Sequence, residues 1–180
     1  AHIESSAAFL VYCIDYSNIK LSFDIEGGEF DISNQYEPLL IGSMDVGIAM
    51  QNAALAAESL GYGIVYCGGV RGFAKGISEL LNIPENALFL CGLSIGVIDE
   101  EKSTEKVKPR LPHEANVGYN EFPKSNEEVL KQYRQTMIDF AEARETKTWT
   151  KKFAGFYAQP SGIEAVTKEL LEKNGFVSKK

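Results

Sequence analysis

"DVGIAMQNAALAAESLGYGIVYCGG", Asp45 to Gly69, is the stretch that decides the fold. Its first half is crowded with small residues: Gly47, Ala49, Ala53, Ala54, Ala56 and Ala57. A helix carrying so little side chain lets another backbone approach closely and can be buried on most sides. The spacing predicts one long helix from about Pro38 or Ile41 to Leu60, with Gly61 as its C-terminal stop. The second half, Gly63 to Gly69, is apolar and ends in two glycines, and reads as a short buried strand. A long helix that feeds directly into a buried strand points to helices layered on a sheet.

Two more buried strands lie outward from this stretch. "AAFLVYCID" (Ala7 to Asp15) and "ALFLCGLSIGVI" (Ala87 to Ile98) are both apolar runs with β-branched or aromatic residues. "FAKGISELLN" (Phe73 to Asn82) reads as a helix with Ile77, Leu80 and Leu81 on its apolar side, ended by Pro84. "FDIEGGEFDISNQ" (Phe23 to Gln35), with paired glycines and scattered acids, reads as a loop. Ser125 and Glu128 form a capping box ahead of a helix with Val129, Tyr133, Met137 and Phe140 at helical spacing. Ser161 and Glu164 repeat the device before a last helix, with Ile163, Val166 and Leu170 inward and Gly175 at its end. The order strand, helix, strand, helix, strand, helix, helix is that of an α/β or α+β protein. With neither an internal repeat nor a linker, residues 1–180 read as a single domain.

The totals narrow the function. The chain has 180 residues, enough for one domain with a core, and its formal net charge is −7. A general nucleic-acid or anionic-membrane surface needs a basic face, so neither partner is expected, and any phosphate must be bound locally. The longest apolar run, Ala87 to Ile98, is too short to span a bilayer. The three cysteines, Cys13, Cys67 and Cys91, form no CxxC and sit in apolar sequence, which suits buried thiols in a reducing, cytoplasmic setting. Two histidines make a His-rich metal site unexpected.

Three signals carry chemistry. "GLSIG" (Gly92 to Gly96) matches G-x-S-x-G, the elbow that exposes a nucleophilic serine between a strand and a helix. The sequence after Gly96 has no helical period, so a glycine-rich buried strand is the reading favoured over a serine hydrolase acting through Ser94. "GYGIVYCGG" fails as a dinucleotide fingerprint, because Tyr66 stands where the third glycine should be. Gly68 and Gly69 at a strand end nevertheless let backbone come close to a flat ligand, and Arg71 follows them. In "KPRLP", Lys108 precedes a proline and is pushed into an extended conformation. Residues i and i+2 of an extended chain project to one side, so Lys108 and Arg110 would point together with Pro109 fixing their spacing. Two cations so held suit a phosphate; two solvated charges on a loop are the plainer alternative.

The ordered set "DVGIAMQNAALAAESLGYGIVYCGGVRG", "LLNIPENALFLCGLSIGV" and "KPRLP" resembles the oxygen-insensitive, NADPH-dependent flavin reductase and nitroreductase family from about Ala7 to the C-terminus. The resemblance implies a nitroreductase-like α+β fold, a central mixed, mainly antiparallel sheet covered by helices, working as a homodimer. It implies FMN as cofactor and NADPH, or NADH, as co-substrate. Hydride would pass to the flavin and then electrons to a flavin, nitroaromatic or quinone acceptor in a ping-pong cycle. By resemblance, Lys108, Pro109 and Arg110 contact FMN with the two cations at its phosphate. Tyr66, Cys67, Gly68 and Gly69 lie against the ring, and His2 lies near its edge. Arg144 matches an arginine that meets the 2′-phosphate of NADPH, with Arg71 as a second candidate and Lys147 as a further nearby cation. No general acid, base or metal ligand is implied. Members of the family carry roughly another quarter of their length ahead of the position of Ala1, as befits a larger domain; that segment holds further phosphate and ring contacts. Two other readings stand beside the reductase: a serine hydrolase, and a flavin-binding protein without turnover.

Overall fold

The computed structural model describes residues 3–101, 103, 107–124, 126–141 and 148–178. These fall into two compact units, one of residues 1–103 with 162–180 and one of residues 104–161.

The first unit is organised by its central strand. Strand β3 (Ala87–Val97) pairs antiparallel with β1 (Ala8–Asp15) on one side and with β2 (Tyr62–Cys67) on the other, giving the order β1-β3-β2. A middle strand is covered on both faces, which is why its sequence is an unbroken apolar run. Leu88, Phe89 and Leu93 are buried accordingly. The outer strands differ from expectation. Instead of being buried throughout, β2 leaves Tyr62, Val65 and Tyr66 largely exposed. In β1 the register slips between Tyr12 and Cys13, a bulge that re-aims the strand end.

Helix α1 (Ser17–Glu26) runs four residues into the segment that composition predicts as a loop, and from Gly27 to Gln35 the chain has neither helix nor strand, as predicted. It starts where Asp15 accepts the backbone N–H of Ser17 at 2.8 Å, and Gly27 ends it at φ 74°. Helix α2 (Glu37–Ser59) begins with Pro38 in its first turn and stops at Gly61, as the sequence predicts. Only one stripe of α2 is buried: Gly42, Val46, Ala54 and Ala57. Gly42 is there for contact, since a Cβ on it would stand 2.5 Å from Cγ2 of Ile14 on β1. Most of the rest of the helix is exposed rather than buried on most sides. By length and composition alone α2 could cross a membrane; in this fold its buried stripe packs on the sheet.

A 3₁₀ turn over Gly68–Phe73 leads from β2 into α3 (Ala74–Leu81), which Asn82 closes at φ 51°. Ile77 packs on the core, whereas Leu80 and Leu81 are exposed, so α3 offers a narrower apolar side than predicted. The chain returns to this unit as α6 (Gly162–Lys173), with Ile163 and Val166 partly covered and Leu170 buried. Beyond Gly175 (φ 77°), Phe176 plugs the core formed by Ile14, Ile32, Val46, Ala74, Leu88, Phe89 and Leu170. The buried Asn174 side chain donates to the carbonyl of Ala87 at 2.7 Å and pins the start of β3.

In the second unit, α4 (Glu127–Ala141) buries Tyr133 and partly covers Val129, Met137 and Phe140, the predicted stripe. Its cap is Asn126, whose side chain accepts the N–H groups of Glu128 and Val129 at 2.9 and 3.3 Å. Ser125, the predicted cap, lies outside the described residues. Helix α5 (Trp149–Ala158) was not foreseen; Thr148 caps it by accepting the N–H of Lys151.

Candidate active site

The glycine pair sits where β2 gives way to the 3₁₀ turn. A Cβ added at Gly69 would meet nothing within 4 Å, and one at Gly68 would meet only Nη1 of Arg71, at 3.5 Å. The backbone there is an unobstructed patch. Tyr66, at the same strand end, is fixed by its hydroxyl, which donates to Oε1 of Gln51 on α2 at 2.7 Å. The Cys67 thiol turns back to the Val65 carbonyl at 3.5 Å. Arg71 is turned inward and donates from Nη1 to the carbonyl of Leu90 on β3 at 3.4 Å. Tyr66, Cys67, Gly68, Gly69 and Arg71 are thus neighbours at one end of β2.

Lys108, Pro109 and Arg110 belong to the second unit. Both cations are exposed and Pro109 is half-buried. Arg110 donates from Nη1 to the backbone carbonyl of Lys108 at 3.2 Å, which brings its guanidinium back beside residue 108. The Pro109 carbonyl in turn accepts the hydroxyl of Tyr133 at 3.1 Å. Tyr133 is buried and lies edge-on to Trp149 at 5.3 Å, and Trp149 lies tilted against Phe153 with ring centroids 4.7 Å apart. His2, Arg144 and Lys147 lie outside the described residues. Tyr133 and Gln51 are the residues that sequence reasoning missed as site supports; the helical spacing around Tyr133 marks it as inward-facing but says nothing of its hydroxyl.

Each set of residues, taken by itself, suits one part of a flavin nucleotide: a pair of exposed cations on a proline-stiffened segment fits a phosphate, and an open glycine pair fits a flat ring. Among the described residues no group of three or more His, Cys, Asp or Glu could hold a metal ion.

Ser94 is no nucleophile. It lies inside β3, paired with Phe9 on one side and Val65 on the other, and is buried. The strand–turn–helix that would expose its hydroxyl is missing, because β3 runs on to Val97. Gly92 of GLSIG serves packing instead: the Phe9 ring lies across it, where a Cβ would stand. The serine-hydrolase alternative falls.

Residues 33–97 match the Nitroreductase family, and residues 108–179 match the Nitroreductase family, C-terminal domain. The chain is 37% identical over 178 residues to the CR(VI) reductase of Pseudomonas sp. (strain G-1), covering 96% of this chain and 71% of that protein. The chain belongs to the nitroreductase family. It is also 37% identical to the NADPH-flavin oxidoreductase of Vibrio harveyi, covering 89% of this chain and 65% of that one. Among solved nitroreductase structures, the NADPH:FMN oxidoreductase of Vibrio harveyi complexed with NAD+ superposes with a TM-score of 0.81 at 36% identity, over 98% of this chain and 70% of the other. The expected α+β nitroreductase fold is thereby met, and the chain is an oxidoreductase of the NAD(P)H-dependent reductase kind.

Proposed function

We propose that this nitroreductase binds FMN and carries electrons from NADPH, or NADH, to a flavin, nitroaromatic or quinone acceptor in a ping-pong cycle. The observation that carries the reading is the open backbone at Gly68–Gly69, at the end of a strand fixed by Tyr66. The flavin, when bound, supplies the electron chemistry, and the protein supplies position and charge. Tyr66, Cys67, Gly68 and Gly69 back the ring, and backbone N–H groups there favour negative charge on it. Lys108 and Arg110 hold the phosphate across Pro109, and His2 is assigned to the ring edge by resemblance alone. Arg144 recruits the 2′-phosphate of NADPH. Arg71 is the second candidate for that role, and must first let go of the Leu90 carbonyl. The relatives named NADPH-flavin oxidoreductase and NADPH:FMN oxidoreductase support the choice of cofactor and co-substrate.

The working molecule is a homodimer in this reading. Leu40, Met44, Ile48 and Leu55 stand exposed on α2, and a contiguous apolar face of this kind marks an interaction surface. Cys13, Cys67 and Cys91 are free thiols, which suits a reducing cytoplasm.

Gly69→Val tests the site. The added side chain meets no protein atom near its Cβ, so the melting temperature should stay where it is while FMN affinity falls about tenfold or more. A variant that takes up FMN as the parent does would contradict the assignment.

A further inference from the structure

We infer that Tyr133 is a positioning residue for the Lys108–Arg110 pair, setting how well the chain tells a phosphorylated flavin from an unphosphorylated one. The inference rests on the reading of that pair as a phosphate clamp. Pro109 has no N–H, so its main-chain polar handle is its carbonyl. That carbonyl is the group Tyr133 holds, at 3.1 Å. Fixing a proline's carbonyl fixes its ψ, because φ is already set by the ring, and ψ decides the direction in which Arg110 leaves. The hydroxyl is itself well placed: the Tyr133 ring is 6% exposed and lies edge-on to Trp149 at an interplanar angle of 81°. Segment 107–112 has no helix or strand to order it, and Val107, Lys108 and Arg110 are exposed. A buried tyrosine gripping the middle of an exposed cationic tripeptide carries the rigidity of α4 to the two charges. Rigid placement is what lets two cations meet one phosphate without losing side-chain and backbone freedom on binding.

The test compares FMN with riboflavin, which has the same ring and no phosphate. Dissociation constants for both are measured by fluorescence titration on the full chain, on Tyr133→Phe and on Lys108→Ala/Arg110→Ala. Phe keeps the ring against Trp149 and removes only the hydroxyl. The expected result is a loss of FMN affinity of about three- to tenfold, the range of one ordinary hydrogen bond, with riboflavin affinity unchanged. Amide hydrogen exchange at Arg110 and Leu111 should also quicken in Tyr133→Phe, with the melting temperature falling no further than the loss of one ordinary hydrogen bond explains. Unchanged FMN affinity overturns the inference. Equal losses for both flavins also overturn it, since they mark a general structural role. If the parent chain binds the two flavins alike, or the double alanine variant still prefers FMN as the parent does, the clamp reading itself fails and this inference goes with it. If the double variant loses discrimination and Tyr133→Phe does not, the clamp stands and Tyr133 is no part of it.

Discussion

The hydroxyl of Tyr66 lies 2.7 Å from Oε1 of Gln51, a single hydrogen bond that ties the glycine-bearing end of β2 to the outward half of α2. Gln51 stands on the same exposed stretch of α2 as Met44, Gly47, Ile48 and Leu55. The proposed ring site and the proposed dimer face therefore share one contact. Tyr66→Phe and Gln51→Ala should each cost about 0.5–1.5 kcal/mol in urea unfolding, and the double variant should cost clearly less than the sum. Strict additivity would show that the contact carries no weight.

Two glycines in helices should respond oppositely to alanine. Gly42→Ala drives a methyl into the buried Ile14 side chain and should destabilise by about 1–3 kcal/mol, as overpacking does. Gly76→Ala in α3 meets nothing within 4 Å and should stabilise by about 0.5–1 kcal/mol through helix propensity. Thermal melts of the two variants separate these effects.

A charge on the apolar face of α2 should break the homodimer. Ile48→Asp places a carboxylate in the middle of the exposed row and leaves the buried stripe untouched. Light scattering after gel filtration should show the parent at twice the mass of the variant. Equal masses would remove α2 from the interface.

Burial and then the Asp15 carboxylate push the Cys13 thiol above its ordinary pKa. The folded state thus holds this proton to higher pH than the unfolded chain. Above the unfolded thiol's pKa, about 8.5, the unfolded state binds fewer protons, so stability falls as pH rises. Cys13→Ala should flatten the alkaline limb of a stability–pH profile while leaving its neutral part parallel to the parent. At pH 8, iodoacetamide should label Cys13 more slowly than a free thiol, because the thiolate is the reacting form. Fast labelling would contradict its burial.

Much of the fold is legible in the sequence. The uninterrupted apolar run from Ala87 marks a middle strand, and Gly61 and Gly175 mark helix ends by their need for positive φ. What stayed hidden has physical causes. The acids around Asp24 suggest a loop, yet Lys20 pairs with Asp24 one turn away at 2.8 Å and α1 forms on the surface without burying a residue. The aromatic run after Trp149 has too little periodicity to announce α5. Apolar composition alone cannot tell the buried β3 from the half-exposed β2, since strand order is a tertiary property. In the site, residue types named the cations and the glycines. The supports, the Tyr133 hydroxyl on Pro109 and Gln51 on Tyr66, join residues 24 and 15 positions apart, and pairings of that range leave no local signal.

The central claim is that this chain holds FMN where NADPH can reduce it. The direct measurement is the visible absorbance spectrum of the purified protein, incubated with FMN, passed through gel filtration and then treated anaerobically with NADPH. The account predicts a flavin band that travels with the protein, bleaches on NADPH and returns when a nitroaromatic is added. A colourless protein, or a bound flavin that neither NADPH nor NADH bleaches, would contradict it.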